Sequence, residues 1–170
     1  MKKLLVILTF FLICEYSHAE NRIAYININH ILNNSLVGKS ISKHLNDIKE
    51  KKLNEFKSIE NQLSKKEEDI LKKKNIISKE EFNKEVELLR KEILEYKNSK
   101  NQFNKKIEKK KITYTKEVLN SLNPIISKYV EENLIQIVFS KKDIIIAKKE
   151  LDITSPIMDL LNNKITKIEF

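Results

Sequence analysis

The stretch FNKEVELLRKEILEYKNSKNQFNKKI, residues 82–107, carries apolar side chains in alternating steps of four and three. Lys100 stands at the one position in this series where an apolar residue is missing. Such spacing predicts a helix with one narrow apolar seam, of the kind that a coiled coil buries against a partner helix. The seam consists of Phe82, Val86, Leu89, Ile93, Tyr96, Phe103 and Ile107.

The segment before this stretch predicts the partner helix. Residues 39–74 are rich in lysine and have a thinner apolar seam, formed by Leu45, Ile48, Leu53, Phe56, Ile59, Leu63 and Ile70. Ser78 is followed three residues later by Glu81, the spacing of a capping box, which marks the start of a second helix. The sequence therefore predicts an antiparallel helical hairpin with its tip near residues 75–79. Helices of about 35 residues would extend roughly 50 Å.

Shorter elements are predicted on both sides of the hairpin. Residues 22–28 (RIAYINI) are mostly apolar and favour a strand, and a helix capped by Asn29 or Asn33 should follow. Pro124 should kink or restart the second long helix, which we expect to end at Asn133, a residue that tolerates left-handed backbone.

The remainder of the chain predicts two more strands and a final helix. The β-branched runs at 134–139 and 143–149 favour a β-hairpin, and Ser155 followed by Pro156 favours the start of a terminal helix. The fold class is then α+β and mostly α. We expect a small β-containing body, residues 20–38 plus 117–170, from which a helical-hairpin arm, residues 39–116, projects.

A body of this size buries little apolar surface, so it should be marginal alone and gain stability by oligomerisation. Its strands carry more apolar side chains than one small body can cover. The candidate oligomerisation residues are Ile23, Tyr25, Ile26, Ile28, Ile137 and Phe139.

The first twenty residues, MKKLLVILTFFLICEYSHAE, predict a secretory signal peptide at residues 1–19. The apolar run is about half the ~20 residues that a membrane anchor needs. A lipoprotein site at Cys14 is disfavoured because Ile13 precedes it, where a small residue is required. Cleavage after Ala19 would remove the only cysteine, so the mature chain would have neither disulfides nor thiolate chemistry.

The positive charge of the mature chain belongs to the arm. Residues 39–116 contain 23 basic and 14 acidic residues, a net charge of +9, whereas the rest of the mature chain has a net charge of −1. Nucleic-acid binding is a hypothesis that such a charge invites, but export and the lack of an aromatic stacking platform argue against it. We therefore expect no nucleic-acid partner.

The groupings of residues that are typical of enzyme active sites are absent from the sequence. His30 and His44 are the only histidines of the mature chain and are 14 positions apart, which does not predict a metal site. Gly38, the single glycine, cannot form a glycine-rich phosphate loop and is expected to be a packing point between body and arm. We therefore expect neither enzymatic activity nor a cofactor.

The two ends of the mature chain resemble the Skp or OmpH-like periplasmic chaperones of Gram-negative bacteria. Residues 23–45 (IAYININHILNNSLVGKSISKHL) resemble the first strand, short helix and Gly-Lys entry into the arm. Residues 133–162 resemble the closing segment, with LDIT at 151–154 matching the family's signature. The resemblance implies a homotrimer with a shared β core. Its three arms would surround a cavity that holds unfolded outer-membrane β-barrel proteins without ATP.

Apolar side chains that the thin seam leaves exposed, together with nearby lysines, are the candidate client-binding residues. Each apolar residue could equally serve only to pack the two helices. The basic arms could also contact anionic lipid or lipopolysaccharide. A structural coiled-coil protein of the envelope, without clients, is the alternative function. The candidates are Ile59, Leu63, Ile70, Ile76, Ile77, Lys72, Lys73 and Lys74.

Overall fold

The structure is a computed structural model that describes residues 22–170. The predicted signal peptide and Cys14 lie outside these residues. The described part is mostly helical with one small sheet, which confirms the predicted fold class. Its elements are β1 (Ile23–Ile26), α1 (Ile28–Asn34), α2 (Leu36–Lys73), α3 (Lys79–Glu132), β2 (Ile137–Ser140) and α4 (Thr154–Lys164), with short 3-10 turns at Lys141–Asp143 and Lys149–Leu151.

The two long helices, α2 and α3, form the predicted antiparallel hairpin. The capping box is present, because the Ser78 hydroxyl accepts a hydrogen bond from the Glu81 backbone N–H while the Glu81 carboxylate accepts one from the Ser78 N–H. The Phe56 ring of α2 lies between Tyr96 and Phe103 of α3 in edge-to-face contacts, with centroid distances of 5.7 and 5.8 Å. The apolar seam of the second helix therefore packs on the first helix of the same chain.

Helix α3 has 54 residues and runs through Pro124, where a kink or a restart was predicted. Proline removes one backbone donor, at a cost of about 3 kcal/mol in a helix interior. Leu122 and Ile125 on either side are 0% and 9% exposed, and their burial in the body core favours continuation of the helix. Tertiary packing thus outweighs the local preference of proline.

The sheet consists of two parallel strands, with Ile23 opposite Ile137 and Tyr25 opposite Phe139. The predicted β-hairpin is wrong, because residues 143–149 do not form a strand. Ile145 is 98% exposed there, so this β-branched run has no neighbouring strand to pack on within residues 22–170.

Helix ends differ from the predictions by a few residues. Asn27, not Asn29 or Asn33, caps α1 by accepting a hydrogen bond from the His30 N–H. Helix α4 begins at Thr154, so that Ser155 and Pro156 lie inside its first turn. The left-handed residue after α3 is Leu134, with φ of 55°, while Asn133 has φ of −100°.

One core joins the sheet to the roots of the long helices. Ala24 and Ile26 face this core from β1, and Ile157 and Leu161 face it from α4. The core also includes Ile41, Leu45 and Tyr114, which were predicted to belong to the arm. The arm is therefore anchored by the turns of both long helices that lie nearest the body. Of the described helices, none combines the length and apolar character needed to cross a membrane.

Gly38 lies where α1 crosses the start of α2. A Cβ atom at this position would be 2.0 Å from the Leu32 carbonyl oxygen, which is far inside van der Waals contact. Any larger residue would therefore push α1 away from α2. This close approach agrees with the expected packing role of the glycine.

Candidate functional site

One face of the sheet remains open to solvent. Ile23, Ile137 and Phe139 are 43%, 52% and 48% exposed and lie on the face opposite the core. Tyr25 shares that face but is 7% exposed, and the Lys141 ammonium lies 5.6 Å from its ring centroid. An open apolar sheet face is a typical protein interaction surface.

The structure divides the six candidate oligomerisation residues into two groups. Ile26 is 4% exposed and belongs to the core, while Ile28 is partly buried against it. Tyr25 is covered within its own chain. Of these six residues, only Ile23, Ile137 and Phe139 present substantial apolar surface to another molecule.

The loop after β2 adds apolar surface that the sequence analysis did not select as a site. Ile145 and Ile146 are 98% and 89% exposed. Their β-branched character indicated a strand, and the missing partner strand is what leaves them exposed. A second chain could supply that partner.

The segment at 151–154 ties the two ends of the described chain together. The Asn27 N–H donates to the Thr154 hydroxyl over 2.9 Å, and the Ile153 N–H donates to the Tyr25 carbonyl over 3.0 Å. The Asp152 carboxylate accepts from the Thr154 N–H at 3.0 Å and from Lys141 at 3.1 Å. These contacts hold β1, β2 and α4 in one body.

Asp152 titrates below its ordinary range. Burial raises its pKa, but hydrogen bonds from Thr154 and then Lys141 outweigh burial, so the pKa of Asp152 is lowered. The hydrogen bond to Asp152 also raises the pKa of Lys141. The carboxylate therefore stabilises the folded body in its ionised form.

We expect Asp152→Asn to lower the free energy of unfolding by about 1 kcal/mol at pH 7, the usual contribution of one such interaction. Because the folded-state pKa is depressed, the contribution is present above the ordinary value of 3.8 and is lost as the pH falls through the folded pKa. Urea unfolding of both proteins at pH 7 and pH 3 measures this difference. An equal difference at both pH values would contradict the assignment.

The tip of the hairpin exposes apolar surface. Ile76 is 80% exposed and Ile77 is partly exposed. Along the arm, Ile59 is 37% exposed and Leu63 is partly buried, whereas Ile70 is 9% exposed and packs in the seam. Ile70 therefore offers almost no surface in this conformation.

The three candidate lysines lie at the end of α2 and in the turn after it. Lys73 spans the hairpin to Glu85 at 3.0 Å, and Lys72 contacts Asp69 of its own helix at 3.2 Å. All three side chains are exposed. They are thus part of a solvated basic tip, in which Lys73 also links the two helices.

At Lys100, the one seam position of the second helix without an apolar residue, polar groups form hydrogen bonds in place of apolar packing. The Tyr96 hydroxyl donates to the Glu60 carboxylate, and the Lys100 ammonium lies 3.2 Å from the same oxygen. The hydrogen bond from Tyr96, followed by that from Lys100, lowers the pKa of Glu60. Beside this cluster lies a cavity of about 310 Å³ lined in part by Ile59, Leu63 and Tyr96.

The family model described as "Outer membrane protein (OmpH-like)" matches residues 22–161. The chain belongs to the OmpH-like family. The fold of this OmpH-like chain is similar to a crystal structure from Caulobacter crescentus CB15, an OmpH-like protein described as a candidate outer membrane chaperone. The similarity has a TM-score of 0.79 at 18% sequence identity and covers 89% of this chain and 90% of the other. No curated protein matched the sequence.

The arm of this OmpH-like chain exposes further apolar residues that sequence reasoning missed. They occupy positions outside the seam, to which the seam pattern assigns no role. An apolar residue on an otherwise charged helix face is the sequence signal that could have identified them. They are Leu71, Leu88, Leu94 and Ile112, at 53–61% exposure. Leu53, which was predicted to pack in the seam of the first helix, is also 57% exposed.

The two histidines among residues 22–170 of this OmpH-like chain lie on different helices. His30 Nδ1 lies 3.3 Å from the side-chain amide nitrogen of Asn34 on α1. The His44 ring stacks on Phe170 with a centroid distance of 3.9 Å. Residues 22–170 contain no cluster of three or more His, Cys, Asp or Glu side chains arranged to hold a metal ion.

Proposed function

We propose that the protein is an ATP-independent holdase of the periplasm, which binds unfolded outer-membrane β-barrel proteins and prevents their aggregation. The observation that carries this proposal is a long arm with exposed apolar side chains and a net charge of +9, held by a body with an open apolar sheet face. Membership of the OmpH-like family supports it.

The body is the proposed oligomerisation unit. Ile23, Ile137 and Phe139 present apolar surface that a second chain can bury, and the exposed loop at Ile145 and Ile146 can pair with a neighbouring strand. We assign residues 20–38 and 117–170 to this body and expect a homotrimer. Three bodies would then place three arms around one cavity.

The arms are the proposed client-binding surface. Their exposed apolar residues are scattered, so each contact with a client is weak and many act together. A holdase that prefers the unfolded state shifts folding by mass action, and such binding needs no nucleotide. The predicted signal peptide, residues 1–19, would deliver the protein to the compartment through which unfolded β-barrels pass.

An aggregation assay tests this function. An unfolded outer-membrane β-barrel is diluted out of urea with or without the chain from Glu20 onward, and light scattering is followed without nucleotide. We expect the protein to suppress scattering. No suppression would favour the alternative, a structural coiled-coil protein of the envelope without clients.

Two double variants test whether the arm is the surface that suppresses client aggregation. The double substitution Ile59→Ser and Ile76→Ser removes exposed apolar surface from the arm. The control, Leu36→Ser and Leu160→Ser, removes side chains that are 48% and 43% exposed outside the arm surface. Suppression should weaken in the arm variant and persist in the control, and the reverse result would contradict the proposed binding surface.

A further inference from the structure

A cavity of about 490 Å³ lies at the root of the arm, between α1, α2 and α3. Its inner wall includes Ile41, Leu45 and Val118, which belong to the core. Its polar side chains come from all three helices and are Asn29, Asn33, Ser42, Asn46, Lys49, Lys111 and Thr115. We call this cavity the root pocket.

The amide side chains of the root pocket are not used to hold the fold. Elsewhere in the body, Asn27 and Asn162 accept hydrogen bonds from backbone N–H groups over 2.9 and 2.7 Å. Across residues 22–170, by contrast, the polar side chains of the root pocket make no hydrogen bond to another protein group. Asn29, Asn33 and Asn46 are exposed to solvent, so their donors and acceptors are available to a ligand.

The root pocket is also positively charged. None of its lining residues is acidic, and two of them are lysines on facing helices. In the described part of the chain, no carboxylate lies within 4.0 Å of the Lys49 or Lys111 ammonium. Other arm lysines, such as Lys66 with Glu92 at 2.6 Å, are paired across the hairpin.

We propose that the root pocket binds an extended polypeptide segment that carries an acidic side chain. Asparagine amides both donate and accept, so they match the unpaired N–H and C=O groups of an extended backbone. The two lysines match a carboxylate. Of the apolar wall residues, Ile41, Leu45 and Val118 are each less than 10% exposed and only Leu32 is partly exposed, which is a small apolar surface for an acyl chain. This inference rests on the proposed function and specifies which client feature the arm root recognises.

Peptide binding tests the proposal on the chain from Glu20 onward. The probe is an eight-residue peptide of alternating valine and threonine with one central aspartate and a neutral fluorophore, measured by fluorescence anisotropy. A second peptide has asparagine in place of aspartate. We expect the aspartate peptide to bind about tenfold more tightly, as two charge-assisted contacts would allow.

Two double substitutions of lysine distinguish binding in the root pocket from general attraction by the positive charge of the arm. Lys49→Ser with Lys111→Ser changes the root pocket, while Lys51→Ser with Lys109→Ser removes the same charge from exposed positions on the same helices. We expect the first pair to weaken binding of the aspartate peptide about tenfold and the second to weaken it less than about twofold. Equal weakening by both pairs would overturn the proposal.

A further variant tests whether the asparagine amides bind the backbone of the peptide. Asn46→Ala should weaken the aspartate and asparagine peptides by the same factor, because both have the same backbone. An unchanged affinity for both peptides would overturn the role assigned to the amides. Displacement of the peptide by anionic phospholipid vesicles, with the same dependence on Lys49 and Lys111, would overturn the choice of occupant.

The proposed function and the root pocket can fail separately. If the protein suppresses aggregation but binds neither peptide, the root pocket is overturned and the holdase proposal stands. If it binds the aspartate peptide through Lys49 and Lys111 but does not suppress aggregation, the root pocket stands and the holdase proposal fails.

Discussion

Substitution Ile137→Asp should convert the proposed homotrimer into monomers. Ile137 lies on the open face of the sheet and is 52% exposed in a single chain, so a second chain would cover it. An unpaired carboxylate at such an interface costs several kcal/mol. Because the side chain points away from the core, the monomer should keep its fold. Light scattering coupled to size-exclusion chromatography measures the mass, and circular dichroism checks the fold.

The matched control is Ile93→Asp in the arm. Ile93 is partly buried in the seam between α2 and α3, so a carboxylate there should loosen the arm and leave the body interface intact. The mass of this variant should equal that of the unmodified protein. Equal dissociation of both variants would show that assembly does not reside in the sheet face.

Capture of an acidic unfolded β-barrel should slow at least tenfold between low salt and 1 M salt. The arm carries +9 per chain, and three arms around one cavity would add their fields. Screening shortens the reach of these exposed charges from ~8 Å at physiological salt to ~3 Å at 1 M. Dissociation, which depends on apolar contact, should change little. Stopped-flow fluorescence measures both rates.

Reversal of Lys72, Lys73 and Lys74 to Glu should reproduce the effect of salt without changing the oligomer. Lys73 pairs with Glu85, so this reversal also removes one link across the hairpin tip. Reversal of Lys128, Lys164 and Lys167, which lie outside the arm, applies the same charge change and should slow capture much less. An association rate that is indifferent to both salt and the arm reversal would contradict this electrostatic role.

The long helices could be predicted because their signals are local. The seam from Phe82 to Ile107 and the capping box at Ser78 each specify helix geometry within a few residues. The β-branched run at 143–149 was misassigned because its preference requires a neighbouring strand, which the described part of the chain does not supply. The helix does not restart at Pro124, because core burial of the neighbouring residues, a tertiary effect, favours its continuation.

The candidate binding surfaces of the body and the arm could be predicted only in part. Every residue from Ile23 to Ile28 except Asn27 is apolar, so alternation could not separate the core-facing Ile26 from the exposed Ile23. Ile76 lies at the tip that the capping box predicts and is exposed, whereas Ile70, also a client-binding candidate, is 9% exposed because it packs in the seam. The root pocket was not predicted, because its walls come from three helices whose crossing depends on the close approach at Gly38.

Native mass spectrometry of the chain from Glu20 onward, alone and after dilution of an unfolded outer-membrane β-barrel from urea, tests the central claim most directly. We expect a trimer without client, and a complex of three chains with one client when the β-barrel is present and nucleotide is absent. A monomer in both samples, or a trimer whose mass the client leaves unchanged, would contradict the account.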